Sequence, residues 1–155
     1  MNSNFLNPNV VNSILLTLLA GAMFAVQGVV NTRLGRELGN PMLATMVSFL
    51  VGMTSIMTYC LLTRISLPAS ETLGRIPWWA WTGGFLGACI VSVVILMVPK
   101  IGVGSVVGFT VGGQLMMSVV LDHFGLLGLN PHPINPGRLI GMILLMTGVV
   151  LLKRF

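Results

Sequence analysis

Apolar residues run along the chain in five blocks of membrane length, and the short segments between them hold nearly all the charge. The first block, residues 10–31, is interrupted only by Asn12, Ser13, Thr17 and Gln27 and closes at Asn31. The second, residues 41–63, carries no charge and opens on Pro41, whose missing N–H suits a first helical turn. The third, residues 78–98, begins with Trp78, Trp79 and Trp81, which predict an aromatic belt at one membrane interface. The fourth, residues 101–121, is ended by Asp122 and His123. Only Pro99 and Lys100 part the third block from the fourth, which predicts a tight antiparallel hairpin turning at those two residues.

The fifth block, residues 138–152, is the shortest. Its uncharged part, 139–152, makes about 21 Å of helix at ~1.5 Å per residue, against a hydrocarbon core of roughly 30 Å. Arg138, Lys153 and Arg154 can snorkel and the bilayer can thin locally, so it is read as a span. The stretch before it, 129–137, holds three prolines and a glycine and reads as a connector that no helix crosses. The fold class expected is therefore all-α: a polytopic membrane protein whose residues 1–155 form a single domain of five transmembrane helices.

Composition sharpens this picture. Charged residues are 7% of the chain and hydrophobic residues 55%, with a mean hydropathy of +0.96, which excludes an ordinary soluble domain. The net charge of +5 is spread singly over loops rather than gathered into a patch, so it predicts topology signals facing lipid headgroups and no nucleic-acid partner. Residues 1–9 lack the positive n-region of a secretory signal, and the apolar run after them has no early cleavage site, so the first block is read as retained. Cys60 and Cys89 stand alone in apolar runs and are expected to be small buried hydrophobes.

Five spans put the termini on opposite faces. One face then holds Arg64, Arg75 and Arg138, and the other Arg33, Arg36, Lys100, Lys153 and Arg154. The positive-inside rule acts through a difference, and here it is small. Two orientations stay open: a fixed one with the C-terminus in the cytoplasm, or dual insertion of copies that pair antiparallel.

Within the spans, polar and small residues are sparse but patterned. Gly104, Gly108 and Gly112 form a ridge at i,i+4 spacing that admits close approach of another helix, either in the same chain or in a second subunit. Thr110, Gln114, Ser118 and Asp122 form a second series on a different face of that helix. Gln27 and Asn31 share a face of the first span, and Thr45, Ser48, Gly52 and Ser55 form a narrow stripe on the second. Ser and Thr back-bond cheaply to their own helix, so it is the carboxamides of Gln27 and Gln114 that argue for a polar pathway within apolar walls. Asp122, at a helix C-terminus, opposes the helix dipole, which calls for a compensating partner in His123 or Arg138; an interfacial structural role and proton coupling are both open to it. Glu37 is read as a local ion-pair member in a short loop after the first span. No nucleophile–base pair, phosphate loop, dinucleotide fingerprint or metal-ligand cluster is found, so neither enzyme, cofactor nor metal is expected.

Taken in order, Gln27-Gly28-Val29-Val30-Asn31-Thr32-Arg33-Leu34, Leu38-Gly39-Asn40-Pro41 and Ser48-Phe49-Leu50-Val51-Gly52 make up the first matching stretch. Gly113-Gln114-Leu115 with Ser118, Leu121-Asp122-His123-Phe124-Gly125, Arg138-Leu139-Ile140-Gly141 and Gly148-Val149-Val150-Leu151 complete the pattern. The chain resembles the YdcZ-like family of the drug/metabolite transporter superfamily. That resemblance implies a multi-pass protein of the bacterial inner (cytoplasmic) membrane and a five-helix half of a ten-helix inverted-repeat transporter. It also implies a homodimer, or a heterodimer with a similar five-helix chain. The first span lacks the embedded glutamate of the four-helix small multidrug resistance relatives, so their cation-antiport mechanism does not carry over.

The functional reading is a transporter that moves a small polar or amphipathic molecule by alternating access, working as an antiparallel pair in the lipid bilayer. Gln27, Asn31, Ser48 and Gln114 are the expected pathway residues, Asp122 a possible coupling group, and Gly104, Gly108 and Gly112 the packing or dimer ridge. Two alternatives remain: a passive channel, and an accessory membrane subunit without its own pathway.

Overall fold

The computed structural model describes residues 7–155. The reading of residues 1–9 as lacking a signal lies largely outside the described residues. Six α-helices follow one another: α1 (Pro8–Glu37), α2 (Pro41–Leu62), the short α3 (Ser70–Gly74), α4 (Gly83–Ile101), α5 (Val103–Phe124) and α6 (Pro136–Arg154). A 3₁₀ turn, Trp78–Thr82, leads into α4. Five segments are long and apolar enough to cross a membrane: α1, α2, Trp78–Ile101, α5 and α6.

An Asn-Pro pair opens three of these helices. The side chains of Asn7, Asn40 and Asn135 accept from the N–H of Asn9 at 3.0 Å, Met42 at 2.8 Å and Arg138 at 2.9 Å. Proline follows each cap at the first helical position, where no N–H is needed. Cap and proline together fix where the helix begins.

Several boundaries differ from the sequence expectation. α1 continues to Glu37, so Arg33 and Glu37 lie in its last turns and pair at i,i+4 with a 2.6 Å contact rather than across a loop. Thirty residues make about 45 Å of helix, longer than the hydrocarbon core. Pro99 and Lys100 do not form a turn: both lie inside α4, and the chain breaks at Gly102, with φ 81° and ψ 156°. Proline near the end of a membrane helix leaves only the carbonyl four residues back unpaired, which such helices accommodate, whereas that φ/ψ region is essentially reserved for glycine. α6 has 19 residues, about 28 Å, because Asn135-Pro136 starts it before Arg138 and the helix runs through Lys153. Cys60 is half-buried, and Cys89, expected inside, is exposed.

The chain divides into two compact units, one ending at Pro99 and the other beginning at Lys100. In the first, α1 packs on α2 and meets α4 through small residues. In the second, α5 and α6 form an antiparallel pair. No span has more than 22% of its apolar stretch buried within the chain.

Candidate functional site

The buried face of α1 is Gly28, Asn31, Thr32 and Gly35, at i, i+3, i+4 and i+7. A Cβ on Gly28 would stand 3.0 Å from Val94 Cγ1, and one on Gly35 3.3 Å from Ile95 Cγ2, so both glycines let α4 approach. Thr32 donates to its own helix at Gly28 O, 2.7 Å away. Asn31, 5% exposed, donates from Nδ2 to Ser48 Oγ on α2 at 3.1 Å. On the next turn of α2, Thr45 and Ser92 lie 3.1 Å apart, hydroxyl to hydroxyl. Each hydroxyl also reaches a carbonyl of its own helix, Thr45 at Pro41 O (3.3 Å) and Ser92 at Ala88 O (2.8 Å), so either can be the donor of that pair.

These bonds position a groove of about 510 Å³ between α1, α2 and α4. Gln27 and Ser48 supply its polar groups; Phe24, Phe49, Gly52 and Gly87 are among its walls. Phe49 lies over Gly87, its Cζ 3.3 Å from where a Cβ would be. Gln27 also shares a cavity of about 10 Å³ with Asn31. Three expected pathway residues, Gln27, Asn31 and Ser48, thus stand together in the first unit.

Ser48 differs from its neighbours. Ser55, Thr54 and Thr58 on α2 each donate to a carbonyl three or four residues back, at 2.7–3.0 Å. Ser48 accepts from Asn31, and its own proton meets no protein acceptor among the described residues. The Gln27 carboxamide, exposed, likewise has no partner there. The polar offer of the groove is one hydroxyl proton and one carboxamide, with no charge.

The second unit is organised differently. Gly104 faces Leu152 Cδ2 at 3.5 Å, Gly108 faces Val149, and Gly112 faces Met146 of α6, so the glycine ridge is occupied by a helix of the same chain. Lys153 Nζ lies 5.7 Å from the centre of the Phe109 ring. At the far end, Arg138 Nη1 reaches Asp122 Oδ2 at 3.3 Å and also donates to His132 O at 3.4 Å. The Asp122 carbonyl accepts from the His132 N–H at 2.7 Å. His123 does not compensate Asp122; its Nδ1 accepts from the Ile134 N–H at 3.3 Å. The connector is thereby folded back on the end of α5, which Gly125 closes in the left-handed conformation. Gln114, in the middle of α5, is exposed and belongs to this second unit, whereas the cluster on α1 and α2 belongs to the first. Ser118 donates to Leu115 O of its own helix at 2.9 Å.

Sequence reasoning missed Gly28, Thr32, Gly35 and Ser92. The i, i+3, i+4, i+7 run of small and polar residues on α1 was the available signal for the first three. Ser92 gave none, since a lone serine in an apolar block has no periodic partner. Among the described residues, no group of three His, Cys, Asp or Glu is placed to hold a metal.

Comparison with known proteins gives one assignment. Residues 13–151 match the family model described as "Putative inner membrane exporter, YdcZ". No curated protein matches the chain. No solved structure matches it either. The match covers most of the chain, and the protein belongs to this family: it is a multi-pass helical membrane protein of a transport family of the inner membrane, not an enzyme.

Proposed function

From that membership we propose that the chain is one half of a ten-helix transporter, completed by an antiparallel second copy, and that the pair moves a small polar or amphipathic molecule by alternating access. The observation that carries the proposal is Gln114. A carboxamide in the middle of a membrane-length helix, exposed on the single chain, is left without a partner in hydrocarbon at a cost of several kcal/mol. A second copy that covers it, or a pathway that wets it, removes that cost. The low burial of every span supports the same reading, because each leaves most of its apolar stretch to be covered by lipid or a partner.

In this proposal Gln27, Asn31, Ser48 and Gln114 line the route, and inverted halves exchange access by rocking one bundle against the other. Export is the direction taken from the family description. Asp122, already held by Arg138, positions the connector; intact pH-driven transport by Asp122→Asn would separate that role from proton coupling.

The test combines orientation with flux. In a variant lacking Cys60 and Cys89, a cysteine at Ser66 in the exposed loop after α2 should react with impermeant maleimide from both sides of the membrane. Labelling from one side only would sink the antiparallel homodimer. Gln114→Leu should abolish transport while leaving insertion intact, and unchanged flux in that variant would remove Gln114 from the route.

A further inference from the structure

We propose that the α1–α2–α4 groove selects an electrically neutral solute with an aromatic or flat apolar body and both hydrogen-bond donors and acceptors. The inference rests on the pathway reading above and specifies its substrate class. It is argued from what the groove offers and what it lacks.

The groove offers few polar atoms, all neutral. Ser48 accepts from Asn31 Nδ2, which leaves to a ligand its O–H as a donor and one remaining lone pair. Gln27 can donate two N–H groups and accept at its carbonyl. A ligand satisfying both must present an acceptor to Ser48 and an acceptor or donor to Gln27. The other hydroxyls of α2 and α4 near this face are spent: Thr45 and Ser92 on each other and on Pro41 O and Ala88 O, and Ser55 on Val51 O. The walls are apolar, with the rings of Phe24 and Phe49 on α1 and α2; Phe49 is seated over Gly87, and Gly52, with open space where a Cβ would be, leaves width for a flat body beside them.

What is missing decides the charge. No Asp, Glu, Lys, Arg or His lines the groove. The chain has only three carboxylates. Glu37 is paired with Arg33, Asp122 with Arg138, and Glu71 sits in α3, outside the spans. A second copy brings the same three, with Glu37 and Asp122 at the ends of their helices and already paired, so pairing two copies adds no carboxylate in the middle of a span. A full charge entering this groove would leave water with no counter-ion, and such a charge is strongly disfavoured in low dielectric. Aromatic faces alone compensate a cation only in part.

The experiment uses one indole body in three charge states: N-acetyltryptophanamide (neutral), tryptophanamide (cationic) and N-acetyltryptophan (anionic). Radiolabelled forms are measured for binding to, and uptake by, the full chain in lipid nanodiscs and proteoliposomes at about pH 6, below the α-amino range and above the α-carboxyl range, so that each compound holds one charge state. The neutral compound should bind at least about tenfold more tightly than either charged one, and Gln27→Leu and Ser48→Ala should each weaken it about fivefold, as for one lost hydrogen bond. Gln27→Glu, at an exposed position that needs no repacking, should transfer the preference to the cation.

The failures are distinguishable. If a charged compound is preferred and Gln27→Leu still impairs it, the groove is the route but the neutral class is wrong. If flux of any of the three is unchanged in both Gln27→Leu and Ser48→Ala, the groove is not the route and the pathway reading falls with the inference. If none of the three binds, the aromatic-bodied class is overturned.

Discussion

Gly108→Ala places a methyl group where the structure leaves no room. Its Cβ would stand 2.8 Å from Val149 Cγ1, 3.0 Å from Cγ2 and 3.4 Å from Cβ. Val149 is 8% exposed and β-branched, so its rotamer is nearly fixed on a helix and it cannot swing aside. Either α5 and α6 separate by a few tenths of an ångström or Val149 strains, at about 1–3 kcal/mol for overpacking. Alanine's better helix propensity returns about 1 kcal/mol, leaving a net loss of up to about 2 kcal/mol. Two other glycines of the same helix are internal controls. Gly104→Ala meets Leu152 at an ordinary 3.5 Å, and Gly113→Ala meets nothing within 4 Å; both should be neutral or slightly stabilising. Val149→Ala in the Gly108→Ala background removes the clash, with a coupling of about 1–2 kcal/mol expected for residues in contact. The assay is SDS-titrated unfolding in mixed micelles. It is read by energy transfer between dyes at the exposed positions Met117 and Leu144, in a background without Cys60 and Cys89. Equal midpoints for the three alanine variants would refute the intrachain packing of the ridge. So would a Gly108→Ala effect that scales with protein concentration, since that marks a contact between chains.

Three further outcomes follow from the same geometry. Asp122→Asn or Arg138→Gln should loosen the connector by no more than about 1 kcal/mol, because the pair is a third exposed; the exchanged pair Asp122→Arg with Arg138→Asp should recover part of it in the same unfolding assay. Gly102→Ala, forced to φ 81° and ψ 156°, should destabilise by about 1–3 kcal/mol, seen as a lowered thermal midpoint, whereas Gly84→Ala, with open space around it, should not. Asn31→Leu should weaken the α1–α2 contact by about 0.6 kcal/mol, the mean for a hydrogen bond between membrane helices, and a loss several-fold larger would mean that Asn31 holds more than Ser48.

The five spans were legible because hydropathy over about twenty residues is a strong signal and depends on no tertiary contact. The polar residues of α1 and α2 could be grouped by helical spacing, and Asn31 and Ser48 do meet at 3.1 Å. Boundaries were harder. Pro99 reads as a breaker in water but is carried inside α4, while the stop three residues later depends on the backbone angles of Gly102, to which hydropathy is blind. The Asp122–Arg138 pair spans sixteen positions and a proline-rich connector, so periodicity could suggest it but not establish it. Nor could spacing tell that the glycine ridge is met by α6, since a ridge describes only its own helix. The division falls between Pro99 and Lys100, the two residues that part the third block from the fourth, but an apolar stretch looks the same whichever neighbours it keeps, so the grouping of the spans could not be read there.

Hydroxyls that close on their own helix also shape how this protein tolerates change. Thr54, Ser55 and Thr58 satisfy themselves along α2, and Thr147 does so on α6. Replacing any of them with alanine or valine removes a donor together with nothing else that needs it. A saturation scan of α2 would therefore read as largely silent along its polar stripe, with sensitivity concentrated at Thr45 and Ser48, the two hydroxyls engaged by another helix. Natural drift can then rewrite most of the polar residues of the spans without trace, and the few that resist mark where the helices are tied to one another.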